Sequence, residues 1–295
     1  MAGFTVLIPL DTTELSETAF QILPMLKTLG FERARLISVS DEDQKRSDGG
    51  APLQEYLNRQ AARVLALGLE AETRAPAGKA AEAILTAAAE PDVDLVLVAT
   101  HGRSGLARLR LGSVADHVIK NSPCPTLVVG PNVAIDLATY SLKRILVPLD
   151  GSDLAELSLP VARYLARQTG AQIDLLRSVS VTAVAQDPTM GGVDLLGIVI
   201  DEAKDYLART AATLEGFTTT ATVVTGSAGE AILDHLKANP VDLVIMASRG
   251  RTGLARAAMG SVTERALQGP DPVLVFEPGE DRSRLFVAAR EGAGS

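Results

Sequence analysis

DLVLVATHGRSGLARLRLGS, residues 94–113, and DLVIMASRGRTGLARAAMGS, residues 242–261, agree at about twelve of their twenty positions. A match of that length inside one chain marks an internal repeat, and a repeat fixes the architecture before any single residue is interpreted. The agreement extends outward. Gly78 and Glu82-Ala-Ile-Leu85 match Gly226 and Glu230-Ala-Ile-Leu233, and Ile8-Pro-Leu-Asp11 matches Val147-Pro-Leu-Asp150. The period, roughly 140 to 150 residues, is far too long for a solenoid unit, so each copy is expected to fold as a domain of its own. The expected boundaries are residues 1–138 and 139–278, with a linker near Pro131 to Lys143 and a loose tail at 279–295.

Within each copy, short apolar runs of β-branched character alternate with alanine-rich segments of helical period, the pattern of βαβ units around a parallel sheet. The first copy predicts strands near Thr5 to Leu10, Ala34 to Val39, Glu70 to Arg74, Val93 to Ala99 and Pro125 to Val129. The second predicts them near Arg144 to Leu149, Gln172 to Val179, Thr219 to Thr225, Val241 to Ala247 and Pro272 to Phe276. LVLVA and LVIMA in the fourth strands are apolar on both faces, as a central parallel strand covered by helices must be. Pro9 and Pro148 stand at the carboxyl ends of the first strands, where a missing amide donor costs least.

If strands one and four are neighbours, their helices leave on opposite faces and a crevice opens at their carboxyl ends, the usual ligand site of such sheets. Two polar elements converge there: Asp11 or Asp150 after the first strand, flanked by Pro9-Leu10 or Pro148-Leu149, and the glycine loop after the fourth. Glycines at 102, 105 and 112 let the backbone approach a ligand, and the loop amides with the following helix start can hold an anion. Ser113 and Ser261 are also good N-cap residues, so simple capping is the alternative reading.

The loop resembles that of the universal stress protein family, whose ATP-binding branch carries Gly-x2-Gly-x9-Gly-Ser/Thr. Here the copies read Ala99-x2-Gly102-x9-Gly112-Ser113 and Ala247-x2-Gly250-x9-Gly260-Ser261, with alanine for the first glycine in both. The resemblance covers essentially the whole chain. With it, the expected fold is α/β: two tandem, Rossmann-like open parallel-sheet domains, five strands each in the order 3-2-1-4-5, with helices on both faces. It implies that Asp11 and Asp150 accept hydrogen bonds from ribose hydroxyls and that backbone groups of Val39 and Val179 meet the adenine edge. It also implies that Gly102, Gly112, Ser113 and Val114, with Gly250, Gly260, Ser261 and Val262, surround the phosphates of ATP. Thr263 suits that role and Ala115, its counterpart, does not. Arg103 and Arg251 are candidates for phosphate pairing, a solvated side chain being the alternative. A Mg²⁺ carried with the phosphates would take most of its ligands from phosphate and water. The family usually pairs through fifth strands, which implies that Pro125 to Val129 meets Pro272 to Phe276; further homodimers are common in it.

Other residues narrow the function classes. The net charge of −8 supplies no basic field for nucleic acid or an anionic membrane surface, and no apolar run approaches the roughly 20 residues that cross a bilayer. Cys124 is the only cysteine, so no internal disulfide forms, and with the absence of a secretory signal this predicts a cytoplasmic protein. His101 has Arg249 as its counterpart, which excludes a general base shared by both crevices; His117 and His235 lack partners at metal-ligand spacing. Gly78-Lys79 lacks the rest of a P-loop. A binding protein that holds ATP is therefore expected, with a slow ATPase, a non-nucleotide interaction scaffold and a different adenine ligand as the alternatives. The segments Asp41 to Pro52 and Thr182 to Asp194 are expected to rim the crevices.

Overall fold

The computed structural model describes residues 3–40, 51–100, 112–130, 132–133, 141–180, 195–248, 260–276, 285 and 287. The first half contains β1 (Phe4–Pro9), a 3₁₀ turn (Ser16–Ile22), α1 (Leu23–Thr28), β2 (Phe31–Ile37), α2 (Ala51–Ala66), β3 (Glu70–Arg74), α3 (Ala80–Ala88), β4 (Leu95–Ala99), α4 (Ser113–Asn121) and β5 (Thr126–Val129). The second contains β6 (Arg144–Pro148), α5 (Asp153–Glu156), α6 (Ser158–Thr169), β7 (Gln172–Val179), α7 (Leu195–Ala212), β8 (Thr219–Thr225), α8 (Ala228–Ala238), β9 (Leu243–Ala247), α9 (Ser261–Ala266) and β10 (Val273–Phe276).

The sequence predicts two tandem five-stranded domains, and the resemblance implies that their fifth strands meet; the structure has a single ten-stranded sheet in the order β3-β2-β1-β4-β5-β10-β9-β6-β7-β8. All its pairings are parallel except the central one, where β10 runs antiparallel to β5 with Val273 opposite Val128 and Leu274 opposite Leu127. The physical reason lies in those two strands. TLVV and VLVF are buried at every position, and a bare apolar edge would template pairing with other chains. Each fully buried Val or Leu there contributes about 1.5–3 kcal/mol that separation would forfeit. Close backbone packing reinforces the seam: a Cβ on Gly130 would lie 2.7 Å from the Leu267 carbonyl oxygen, and the Asn132 amide donates to the Gln268 carbonyl at 2.8 Å.

Burial divides by face. A continuous apolar cluster runs along one face through both halves, from Val6, Leu36 and Leu57 to Leu165, Leu175 and Leu207, and includes Leu285. The other face has two clusters, one under α3 and α4 and one under α8 and α9, the latter reaching across the seam to Ile119 and Val128. The aspartates that open the two quoted stretches sit at the amino ends of the strands, away from the crevices. Asp94 accepts the Thr5 amide at 2.8 Å, and Asp242 accepts the Lys143 and Arg144 amides at 2.7 and 2.8 Å. They fasten β4 to β1 and β9 to β6, a structural task.

Candidate functional site

The carboxyl ends of β1 and β4, adjacent and parallel, and those of β6 and β9 frame one crevice in each half. At the β1 end, the Leu10 amide donates to Ile37 O at 2.8 Å, and the chain then turns at Asp11. Asp11 Oδ1 accepts the Thr13 amide at 3.1 Å and its hydroxyl at 2.5 Å. The second half repeats this: the Leu149 amide donates to Leu176 O, and Asp150 Oδ1 accepts the Ser152 amide at 2.9 Å and its hydroxyl at 2.6 Å. Each aspartate is thus oriented by its own turn, with Leu10 and Leu149 buried beneath it and Pro9 and Pro148 half-buried.

The residue after each aspartate needs a left-handed conformation. Gly151 has φ +83, and Thr12 has φ +66, the only positive-φ non-glycine among the described residues. A β-branched residue there is strained. Gly151→Thr is therefore expected to destabilise the protein by about 1–2 kcal/mol, because its Cβ would also sit 3.0–3.2 Å from the Arg177 guanidinium. Thr12→Gly relieves that strain and should stabilise, but by less, because glycine's freedom in the unfolded chain offsets part of the gain. Urea unfolding of the two variants checks both signs.

The other side of each crevice begins at Ala99 and Ala247, the last residues of β4 and β9, both buried and neither at positive φ. Alanine in place of the motif glycine is therefore unstrained. Thr100 follows, 2 % exposed, and its hydroxyl has no hydrogen-bond partner among the described residues. Its counterpart Ser248 offers its carbonyl to the Gly260 amide at 3.2 Å. Residues 102, 103, 250 and 251, and with them Gly102, Arg103, Gly250 and Arg251, lie outside the described residues. So do His101, Arg249 and nearly all of the rim segments.

Capping by serine is not what the structure has. Gly112 and Gly260 are the N-caps, at φ −61 and −63, with no side-chain cap, and Ser113 and Ser261 are the first helical residues, exposed. The first-turn amides of a helix lack internal acceptors, so the first turn of α4, with Val114 39 % exposed, is left open. Thr263 is 2 % exposed and packs under Gly260, its hydroxyl 3.8 Å from where a Cβ would be; Val262 is half-buried.

Register separates two residues that the sequence pairs. Gly78 donates to Ser40 O and Gly226 to Val179 O, while Pro9 lies opposite Ile37 and Pro148 opposite Leu176. Val179 is therefore the counterpart of Ser40, and Val39 that of Ser178. With side chains alternating along a strand, Val39 and Val179 point to opposite faces of the sheet. Aligning Leu36-Ile37 on Leu175-Leu176 would have found this in the sequence. Among the described residues no group of three or more His, Cys, Asp or Glu could hold a metal, and no helix is long and apolar enough to cross a membrane.

A profile of the universal stress protein family matches residues 4–130 and again 141–277. A universal stress protein of Mycobacterium tuberculosis is 27% identical over 188 residues, 62% of this chain and 62% of that protein, so the match spans less than two thirds of the relative's own length. Universal stress protein YxiE of Bacillus subtilis is 28% identical over 143 residues, 45% of this chain and 97% of its own. The crystal structure of a universal stress protein from Archaeoglobus fulgidus superposes with a TM-score of 0.73 at 22% identity, covering 93% of this chain and 98% of that one, a likeness of fold.

Proposed function

The chain belongs to the universal stress protein family and carries the family's domain twice, and from that premise we infer that each half holds one ATP in its crevice, as a cytoplasmic stress-response protein that binds the nucleotide rather than turning it over. The observation that carries the reading is convergence. In both halves a turn-oriented aspartate and a glycine-capped helix start stand at the carboxyl ends of two adjacent parallel strands. Open α/β sheets bind nucleotides at that place.

In this reading Asp11 and Asp150, oriented by their turn bonds, accept the ribose hydroxyls. The backbone of Val39 meets the adenine edge in the first crevice. Register makes Ser178, rather than Val179, its equivalent in the second. Gly112, Ser113 and Val114, with Gly260, Ser261 and Val262, receive the phosphates, joined by Gly102, Arg103, Gly250 and Arg251 of the motif. Thr263, buried beside Gly260, is the further candidate for the phosphates in the second crevice. A Mg²⁺ would travel with the phosphates, held mainly by them and by water.

The test is to denature freshly purified protein and identify released nucleotide by chromatography and mass. One or two ATP per chain are expected, and a Gly112→Glu, Gly260→Glu double variant should carry none, because a carboxylate at each helix start repels phosphate. Neither glycine makes a Cβ contact under 3.0 Å, so the substitutions spare the core. No nucleotide in the unaltered protein, and no binding of added ATP with Mg²⁺, would leave a duplicated interaction scaffold instead.

A further inference from the structure

Among the described residues, the crevices differ where β2 and β7 end. By register, Ser38 in the first half corresponds to Arg177 in the second. Ser38 is buried, and its side chain carries no charge. Arg177 lies with its guanidinium Cζ 4.6 Å from the centre of the Tyr206 ring, and its terminal nitrogens are 3.0 and 3.1 Å from where a Gly151 Cβ would stand. Tyr206 is itself fixed, donating its hydroxyl to Glu156 at 2.8 Å. Stacking on the tyrosine holds the cation in place, and among the described residues no carboxylate or carbonyl takes its N–H groups. Two differences go together: the arginine at 177 lies close against the bare glycine at 151, whereas the first half has serine at 38 and Thr12 at those places.

We propose that Arg177 makes the second crevice selective for adenine nucleotides that carry a phosphate on the ribose hydroxyls as well as on the 5′ oxygen. The inference rests on the reading of both crevices as nucleotide sites. There Asp150 meets the ribose hydroxyls, and the guanidinium lies against the next residue. A neutral hydroxyl offers a guanidinium one uncharged acceptor oxygen. A ribose phosphate supplies two or more anionic oxygens that a planar guanidinium can bind in bidentate fashion, and an arginine beside the ribose is how dinucleotide folds accept such a phosphate. The same group offsets the repulsion that Asp150 would exert on it.

The experiment uses the full chain with Gly112→Glu to close the first crevice. Calorimetric titration compares AMP, adenosine 2′,5′-bisphosphate, adenosine 3′,5′-bisphosphate and ATP. One of the bisphosphates is expected to bind about tenfold tighter than AMP, and Arg177→Ser should erase that preference while AMP still binds. The reciprocal chain, Thr12→Gly with Ser38→Arg on a Gly260→Glu background, should acquire it, which decides the matter even where Arg177→Ser fails to fold. Equal binding of AMP and both bisphosphates, or a preference that survives Arg177→Ser, overturns the inference; ATP binding in that same protein then shows that the nucleotide reading stands without it. Binding of no nucleotide at all overturns both.

Discussion

Arg35→Met should lower the unfolding free energy by about 2–4 kcal/mol, near the range for breaking a buried ion pair. Arg35 is 5 % exposed in β2. Its guanidinium donates to Glu72 at 2.8 Å, Glu90 at 2.8 Å and Asp92 at 2.8 Å, and Arg74 bridges Glu72 and Glu90 from outside. Removing the central cation leaves three carboxylates facing one half-exposed arginine. They are themselves a third to a half exposed, so water screens part of the repulsion and the upper end of the range is not reached.

The same cluster predicts acid sensitivity. Burial pushes the Glu72 carboxyl up, but hydrogen bonds from Arg35 and Arg74 outweigh it and hold it below its usual value; the Arg35 hydrogen bond does the same for Asp92 against the opposing burial. A carboxylate with a depressed folded pKa contributes stability that is present above its unfolded pKa and lost as pH falls through the folded one. Urea unfolding at pH 7 and pH 3 should therefore show wild type and Arg35→Met converging in acid. A loss under about 0.5 kcal/mol at pH 7 would mean that the cluster is a solvated surface pair.

Asp271→Asn should stabilise the protein at pH 8 and change little at pH 4. Asp271 immediately precedes Pro272 and β10. Burial first, and the Asp242 carboxylate second, push its carboxyl up to about 7, and its Oδ2 is buried with no hydrogen-bond partner among the described residues. Here the sign is opposite to that of the Arg35 cluster. The unfolded chain releases this proton near pH 4 and the folded one keeps it to about pH 7, so stability falls across that interval and is level above it. Because the residue is partly exposed, water discounts the full shift; a gain of about 1–2 kcal/mol at pH 8 is expected. The wild-type-minus-variant difference measured at pH 4, 6 and 8 decides it. A difference that does not grow with pH would mean that Asp271 ionises like an ordinary aspartate.

The sequence by itself determined the duplication, the order of strands and helices in each copy, and the place where polar groups gather. Glu70–Arg74, Gln172–Val179 and Thr219–Thr225 are strands with the bounds their patterns imply, because hydrophobic periodicity and turn residues are local signals. The position of Asp11 and Asp150 after the first strands was legible for the same reason, whereas the turns that orient them came from the structure. Whatever depends on partners distant in sequence was decided only by tertiary structure. TLVV and VLVF read as apolar edges, but the union of two sheets into one is a property of the pair. Val39 and Val179 look equivalent by name, and only the hydrogen-bond register moves one of them by a residue and to the other face. Arg35 and its counterpart Asp174 hold opposite charges at one position because their partners come from elsewhere: Glu72, Glu90 and Asp92 for the one, Arg144, Gln172 and Thr220 for the other. A buried charge is stable only with a partner placed to meet it, and that placement belongs to the folded chain.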